Sequence, residues 1–497
     1  MKKNHIIAAL VLMMLPVMAG AQALKGSYFL DNSVNSHKFN PAFAPRANYF
    51  QLPVIGNLGF GVYSKLDMGT FLYPLDNGKV GTFLHPEVSL KKFERSLPKR
   101  PHFDIDFSTN ILSFGFYTKN KAFWNFTLDT RETVDVDLPR DIFTFMKMGT
   151  GTSNESFNVG NMNMYATAAV QASLGYSREF VKNLRTGIKF RMIAPLAYMG
   201  LNLENVRLNT SAEKWTIQTE GYAYGVVQGL DVSVPESESI DQTFAMPSFD
   251  FDLNRMLSNK VIAGLGYSFD IGARYILEIG SIIDGLTFSA SVTDLGQIFY
   301  KNEAVSSFET SGEAEWVGIT EFSPDSDLDL DSYMDDMMDE LMGLANLKQV
   351  KDGKKLVKST MPRFYVGVEM PFLKRKMSVG FLYSSRLSHS YARNELTLSY
   401  NLKPTKAFAL GLNYSFLNTG GTFGAILELT PKVGPAFYIG WDYFPAKYAA
   451  YPLEEALPIL NMQNIPIPMS MRMNLNFGIA FNMGSKYVNP KKDKKNK

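Results

Sequence analysis

Met471-Arg-Met-Asn-Leu-Asn-Phe-Gly-Ile-Ala-Phe-Asn-Met-Gly484, close to the end of the 497-residue chain, decides how the rest is read. Met471, Met473, Leu475, Phe477, Ile479, Phe481 and Met483 are apolar, whereas Arg472, Asn474, Asn476, Gly478, Ala480, Asn482 and Gly484 are polar or small. A period of two sustained this far makes a strand with two unlike faces, and one longer than soluble domains usually carry. A tilted strand of about ten residues crosses the hydrocarbon core of a bilayer, and only a closed antiparallel barrel leaves no backbone group unpaired there. The stretch reads as the closing strand of an outer-membrane barrel.

The other end of the chain agrees. Met1-Lys2-Lys3, an apolar run from Ile6 to Met18 and the small residues Ala19-Gly20-Ala21 predict a secretory signal peptide over 1–21. No cysteine follows the cleavage site, which argues against a lipoprotein. The chain has no cysteine at all, so disulfide scaffolds and thiolate metal sites are excluded. A net charge of +2 supplies no basic field suited to nucleic acid.

Alternating segments recur along the chain: Phe103 to Tyr117, Phe123 to Leu138, Met162 to Tyr176, Gly187 to Tyr198, Val261 to Tyr267 and Leu286 to Leu295. Between Gly200 and Val234 the pattern does not resolve boundaries. Phe364 to Met370, Met377 to Tyr383, Leu396 to Leu402, Phe408 to Phe416, Phe423 to Leu429, Phe437 to Tyr443 and the closing strand complete the series, with an early strand near Leu58 to Val62. The total is about fourteen strands, within a range of roughly fourteen to sixteen, and falls among the even-numbered bacterial barrels. A soluble β-sandwich or propeller would also alternate.

The charges supply a test of facing. Arg363, Glu369, Glu395, Glu428, Asp442 and Arg472 all fall on the parity opposite the apolar set. A Lys or Arg on the lipid face near the midplane costs about 2 to 4 kcal/mol, so these six are expected to face the lumen. Counting back from the last strand puts the short connections at Lys432 to Gly434, Lys403 to Lys406 and Leu373 to Lys376 in the periplasm. Pro445 to Pro468 and the segment around Lys301 to Thr360 are then long extracellular loops.

Ahead of the strands, Tyr28-Phe29, Asn40-Pro41-Ala42-Phe43 and Pro45 are followed by Leu52-Pro53 and the glycines Gly56, Gly59 and Gly61. This pattern resembles a family of uncharacterised Bacteroidota outer-membrane proteins. The Asn40, Pro41, Ala42 tripeptide, soon after a signal peptide, also resembles the start of the long-chain fatty-acid transport porin family. That likeness implies an N-terminal segment closing the lumen and a role with hydrophobic small molecules. The expected organisation is a signal peptide over 1–21, a segment over 22–50 that plugs or lines the lumen, a barrel over 51–484 with an acidic helical insertion at 323–347, and a basic periplasmic tail over 485–497.

Residues that could carry chemistry are few. In the acidic insertion, Asp325, Asp327, Asp329 and Asp331 alternate and Leu330, Met334, Met337, Leu341 and Leu344 recur at helical spacing, which reads as an amphipathic helix with a solvated face. As a calcium loop it fails at both diagnostic positions, Leu330 and Asp336. His5, His37, His85, His102 and His389 are scattered, with no zinc-binding helix and no sequence cluster suggesting a metal. No nucleophile elbow or phosphate loop occurs, and His389 between Ser388 and Ser390 has no identified partner for catalysis. The apolar loop Pro445 to Pro468 reads as a contact surface or a constriction.

The sequence therefore predicts an all-β, transmembrane antiparallel barrel in the outer membrane of a Gram-negative bacterium. It is expected to be a non-enzyme without cofactor or metal, with outer-membrane lipid, a hydrophobic solute and an outer-membrane protein as candidate partners and no nucleic acid. Transport or capture of hydrophobic small molecules is the first functional expectation; an assembly or secretion-associated binding protein is the alternative.

Overall fold

The computed structural model describes residues 24–53, 55–76, 80–148, 155–158, 160–210, 215–227, 230–233, 248–251, 262–278, 285–316, 348–350, 355–388, 391–444, 448–451, 465–468 and 470–485. Fourteen antiparallel strands close on themselves. The first, β1, is broken into Asn48–Gln51 and Leu58–Ser64; β2 is His102–Tyr117, β3 Phe123–Asp137, β4 Met162–Val181, β5 Leu184–Thr210, β6 Gly264–Leu277 and β7 Leu286–Tyr300. Then come β8 Arg363–Phe372, β9 Met377–Leu387, β10 Ala392–Leu402, β11 Phe408–Leu417, β12 Gly420–Leu429, β13 Val433–Phe444 and β14 Met473–Gly484. Each pairs with the next, and β14 pairs back to both pieces of β1, Asn48 opposite Gly484 and Leu58 opposite Phe477. The barrel thus begins at Asn48, a little before the expected residue 51.

The break in β1 follows from Pro53, which has no N–H to give a ladder. Gln51 turns its side chain into the gap and donates from Nε2 to Gly56 O at 2.7 Å. Along β14 the alternation resolves as the pattern requires: Phe477, Phe481 and Met483 are 41%, 41% and 59% exposed on the outer face, while Asn474, Asn476 and Asn482 are buried within.

Strands β6 and β7 run further than their alternation indicated, and β5 is the main departure, spanning 27 residues where the pattern predicted Gly187 to Tyr198. Its first half pairs with β6 up to Ile193 opposite Gly266. From Ala197 to Thr210 it pairs instead with Trp215–Val227, which pairs with Val305–Trp316 and through it with Lys348–Val350. The sheet forks at Pro195, where the register against β4 also slips between Ala168 and Ala169. A proline tolerates such a branch because it has no donor to lose, and its carbonyl accepts from Ala263 N–H at 2.8 Å.

The two barrel ends differ. At one, the connections 118–122, 182–183, 373–376, 403–407 and 430–432 are short turns. At the other, the connection after β1 and that after β3 carry the helices Leu90–Ser96 and Arg140–Met148. Their apolar faces meet around Phe83, Phe93, Phe143, Met146, Phe157 and Leu203, a satellite core beside the mouth. No helix among the described residues is long and apolar enough to cross a membrane.

Placing a cation on the outer face should be costly. Phe477→Arg is expected to lower barrel stability by about 2 to 4 kcal/mol, read by equilibrium unfolding from lipid vesicles.

Candidate functional site

The described part of the N-terminal segment, residues 24–47, lies inside the barrel. It is wound into tight turns, with 3-10 helices at Lys25–Ser27 and Ser36–Lys38. Tyr28, Phe29, Phe39 and Phe43 form an aromatic knot that packs on Tyr365 of β8 and Leu382 of β9. Tyr28 and Phe43 meet edge to face at 5.1 Å, as do Phe39 and Tyr365 at 5.5 Å. A small cavity beside the knot, lined by Tyr28, Asp31, Arg274, Ser289 and Glu369, measures about 20 Å³, room for one water.

Asn40, Pro41 and Ala42 sit against the inner face of β5, β6 and β7. Asn40 Nδ2 donates to the carbonyls of Ala273 at 3.1 Å and Ala290 at 3.2 Å, which face each other across β6 and β7. Its Oδ1 accepts from Ala42 N–H at 2.9 Å, so one side chain both shapes the turn and holds it to the wall. The wall makes room with two glycines. A Cβ on Gly187 would stand 2.2 Å from the Pro41 carbonyl oxygen, and one on Gly272 would stand 2.1 Å from Asn40 Oδ1. Ser291 adds a hydrogen bond to Phe39 O at 2.7 Å.

Directly outside the same three strands the wall carries an apolar groove of about 710 Å³, lined by Phe190 and Met192 of β5, Leu265, Gly266, Tyr267 and Phe269 of β6, and Phe299 of β7. Both lie below the fork, the groove nearer to it: on β6 the groove is lined by residues from Leu265 to Phe269 whereas the dock meets Gly272 and Ala273, and on β7 the groove reaches Phe299 whereas the dock meets Ala290 and Ser291.

The charged positions singled out in the sequence hold this segment or brace the wall around it. The Lys25 ammonium pairs with Glu395 and Tyr443 Oη, while its backbone N–H donates to Asp442 Oδ2 at 2.7 Å. Glu369 accepts from Lys403 Nζ at 3.0 Å, which also donates to Phe29 O at 2.7 Å. Glu428 is fully buried beside Ser33. Arg363 stands 3.7 Å from Asp294, and Arg472 donates to Thr419 Oγ1 at 2.5 Å.

Nearer the loop end lies a layer of charge that the sequence reading missed. Arg386 of β9 pairs with Asp106 of β2, and Arg393 of β10 with Asp104 of β2 at 3.2 Å. These strands stand on opposite sides of a fourteen-strand ring, so the pairs bridge the lumen. Tyr391 Oη donates to Asp104 at 2.8 Å, and the Arg393 guanidinium lies 4.6 Å above the Tyr63 ring. A second group joins Arg131 of β3 and Arg191 of β5 to Asp294 of β7 and Asp270 of β6. The clue was available: His102, Asp104 and Asp106 share one parity, opposite the apolar Phe103, Ile105 and Phe107.

The acidic stretch 323–347, His389, residues 1–21 and the tail beyond Ser485 lie outside the described residues. Of the loop Pro445 to Pro468, Tyr448–Tyr451 and Ile465–Pro468 pair as a hairpin.

His37 has a more specific setting. Lys189 Nζ donates to its Nδ1 at 3.0 Å and to its carbonyl at 2.9 Å. Because an ammonium only donates, Nδ1 accepts and Nε2–H faces Tyr49 Oη at 2.8 Å. Burial first, and then the Lys189 and Lys38 charges, hold the imidazole well below its ordinary value, so docked His37 is neutral. A segment released into water would regain a pKa of about 6.5 and bind a proton more readily than the docked one. Its docking contribution is complete above that value and declines by about 1.4 kcal/mol for each pH unit below it. Protease access to the segment should rise between pH 7.5 and about 5.5, and the part of that rise due to this residue should vanish in His37→Gln.

No curated protein matches the chain. Among solved structures, it is similar to the toluene transporter TodX of P. putida, at 10% identity over 90% of this chain and 94% of that one, with a TM-score of 0.38. The toluene transporter TbuX of Ralstonia pickettii matches at 8% identity over 91% and 94%, TM-score 0.38. A Pseudomonas aeruginosa FadL homologue matches at 9% over 94% and 96%, TM-score 0.33. The barrel rests on its own closed ladder and not on these likenesses. Residues 41–442 match the model of a family of unknown function, DUF5723, and with four-fifths of its length inside that match the chain belongs to this family.

Proposed function

We propose that the protein is a non-enzymatic outer-membrane passage for hydrophobic small molecules, in which residues 24–47 are a displaceable plug. The observation that carries this reading is that the same three strands, β5, β6 and β7, carry an apolar groove on the lipid side and, farther from the fork, the Asn40-Pro41-Ala42 dock on the lumen side. A solute dissolved in the outer leaflet would meet a concave apolar surface there, on the strands whose glycines Gly187 and Gly272 admit the plug and whose carbonyls and Ser291 hold it by a few hydrogen bonds. Such pockets concentrate apolar ligands. The cavity beside the aromatic knot holds about one water, and in this reading passage requires the plug to move.

The plug is suited to movement because its holds are discrete. Aromatic packing fixes the middle, Lys25 fixes one end, and Asn40 fixes the other. The wall charges along the segment, Glu395 and Asp442 at Lys25 and Glu369 and Glu428 beside Phe29 and Ser33, act in this reading as parts of a latch. Removing one member of a buried pair typically costs 3 to 5 kcal/mol, roughly, because the other charge is left uncompensated.

Deleting residues 24–45 should convert a nearly non-conducting barrel into a conducting one in planar bilayers and speed entry of a hydrophobic fluorophore into proteoliposomes. Unchanged conductance and unchanged entry would sink the passage. If the protein extracted from outer membranes then retained a polypeptide in native mass spectrometry, the assembly reading would replace it.

A further inference from the structure

His102, Asp135 and Asp137 come from two neighbouring strands and are separated by more than thirty positions in sequence, yet their ligand atoms all lie within 4.8 Å of one another. His102 opens β2 directly opposite Asp137 of β3, and Asp104 stands opposite Asp135. We propose that this group is a binding site for one divalent transition cation at the loop-end mouth of the lumen, with His102 Nδ1 and one oxygen each from Asp135 and Asp137 as ligands.

Three observations carry it. First, Asp135 is 1% exposed and its Oδ1 has no hydrogen-bond partner among the described residues. A buried carboxylate oxygen without a donor is costly, and a cation is the partner such an oxygen takes. Second, the supporting shell of a metal site is in place. His102 Nε2 faces Asp104 Oδ2 at 3.2 Å, which fixes the ring with Nδ1 toward Asp137. Asp104 is itself held by Arg393, Arg386 and Tyr391, and Asp135 Oδ2 accepts from Ser388 Oγ. A ligand histidine ordinarily donates its second N–H to a carboxylate in this way. Third, the guanidiniums of Arg386 and Arg393 are engaged with Asp106 and Asp104, and Lys65 lies over the Tyr391 ring at 4.7 Å.

The ligand set selects the class of ion. One imidazole and two carboxylates suit Zn²⁺ and its first-row neighbours, whereas Ca²⁺ and Mg²⁺ take oxygen alone. Nδ1 now stands 2.7 Å from Asp137 Oδ1, a hydrogen bond that holds one proton between them. On binding, that proton leaves to solvent and the cation takes its place between nitrogen and carboxylates. Asp137, the most open of the three with 15% of its side chain exposed, faces the way in. Ser388 directly follows β9 on the opposite wall, so the occupied site would brace the mouth across the lumen.

The test uses the full-length protein in detergent, without a histidine tag, stripped by a chelator and equilibrated with Zn²⁺. Expected are one equivalent retained after desalting, a raised melting temperature, and no competition from a large excess of Ca²⁺. Asp135→Asn should lose the retained Zn²⁺ while still migrating as a folded barrel in unheated gels. Ser388→Ala should weaken binding about 10- to 100-fold. Replacing Zn²⁺ by Co²⁺ in the unmodified protein reads the ligands directly and does not depend on any variant folding. No retained metal, retention undiminished in folded Asp135→Asn, a Co²⁺ spectrum without nitrogen ligation, or displacement by Ca²⁺ would each overturn the site. None of these results bears on whether hydrophobic solutes pass.

Discussion

Closure of the backbone ladder is the constraint on which everything else here depends. In hydrocarbon an unpaired N–H or C=O costs several kcal/mol, so the last strand must find the first. Here that seam is made under a handicap, because Pro53 interrupts β1. The chain answers with two short pieces, Asn48–Gln51 and Leu58–Ser64, each laid between β2 and β14. The side chain of Gln51 fills the interruption from within.

Closing the wall creates a second problem inside it. A fourteen-strand lumen is too wide for opposed side chains to fill as a small barrel does, yet this one carries many inward charges. Two devices meet that need. The N-terminal segment brings its own apolar knot and its own Lys25 to the strands β8 to β13, and near the mouth arginines from β9 and β10 reach acids on β2. Buried pairs of this kind contribute little net stability. Their value lies in specificity: a segment matched to Glu395, Asp442, Ala273 and Ala290 has one place to sit.

The fork at Pro195 links wall to function. Because β5 abandons β6 there, the outer surface of β5 to β7 is left concave just below the branch, and it is apolar because it faces lipid. On the inner side of those strands Gly187 and Gly272 let the plug backbone approach. The groove and the dock use different residues of the same three strands, which is why the proposed route runs along β5 to β7.

Much of this was legible in the chain. Period-two alternation over Met471 to Gly484 and its counterparts specifies strands with a lipid face, and charge parity sorts Arg363, Glu369 and the rest to one side, because both depend only on neighbours along a strand. The tripeptide Asn40-Pro41-Ala42 could be recognised but not placed. The length of β5, its change of partner at Pro195, the meeting of Arg386 with Asp106 across the lumen and the convergence of His102 with Asp135 and Asp137 could not be read. Each is set by which strands become neighbours and in what register, and pairing energies are nearly the same for many partners until the whole ring closes. The sequence by itself determined that this chain is a membrane barrel with a polar interior; only the tertiary structure decided what fills that interior, because contacts across a lumen belong to closure and not to any local pattern.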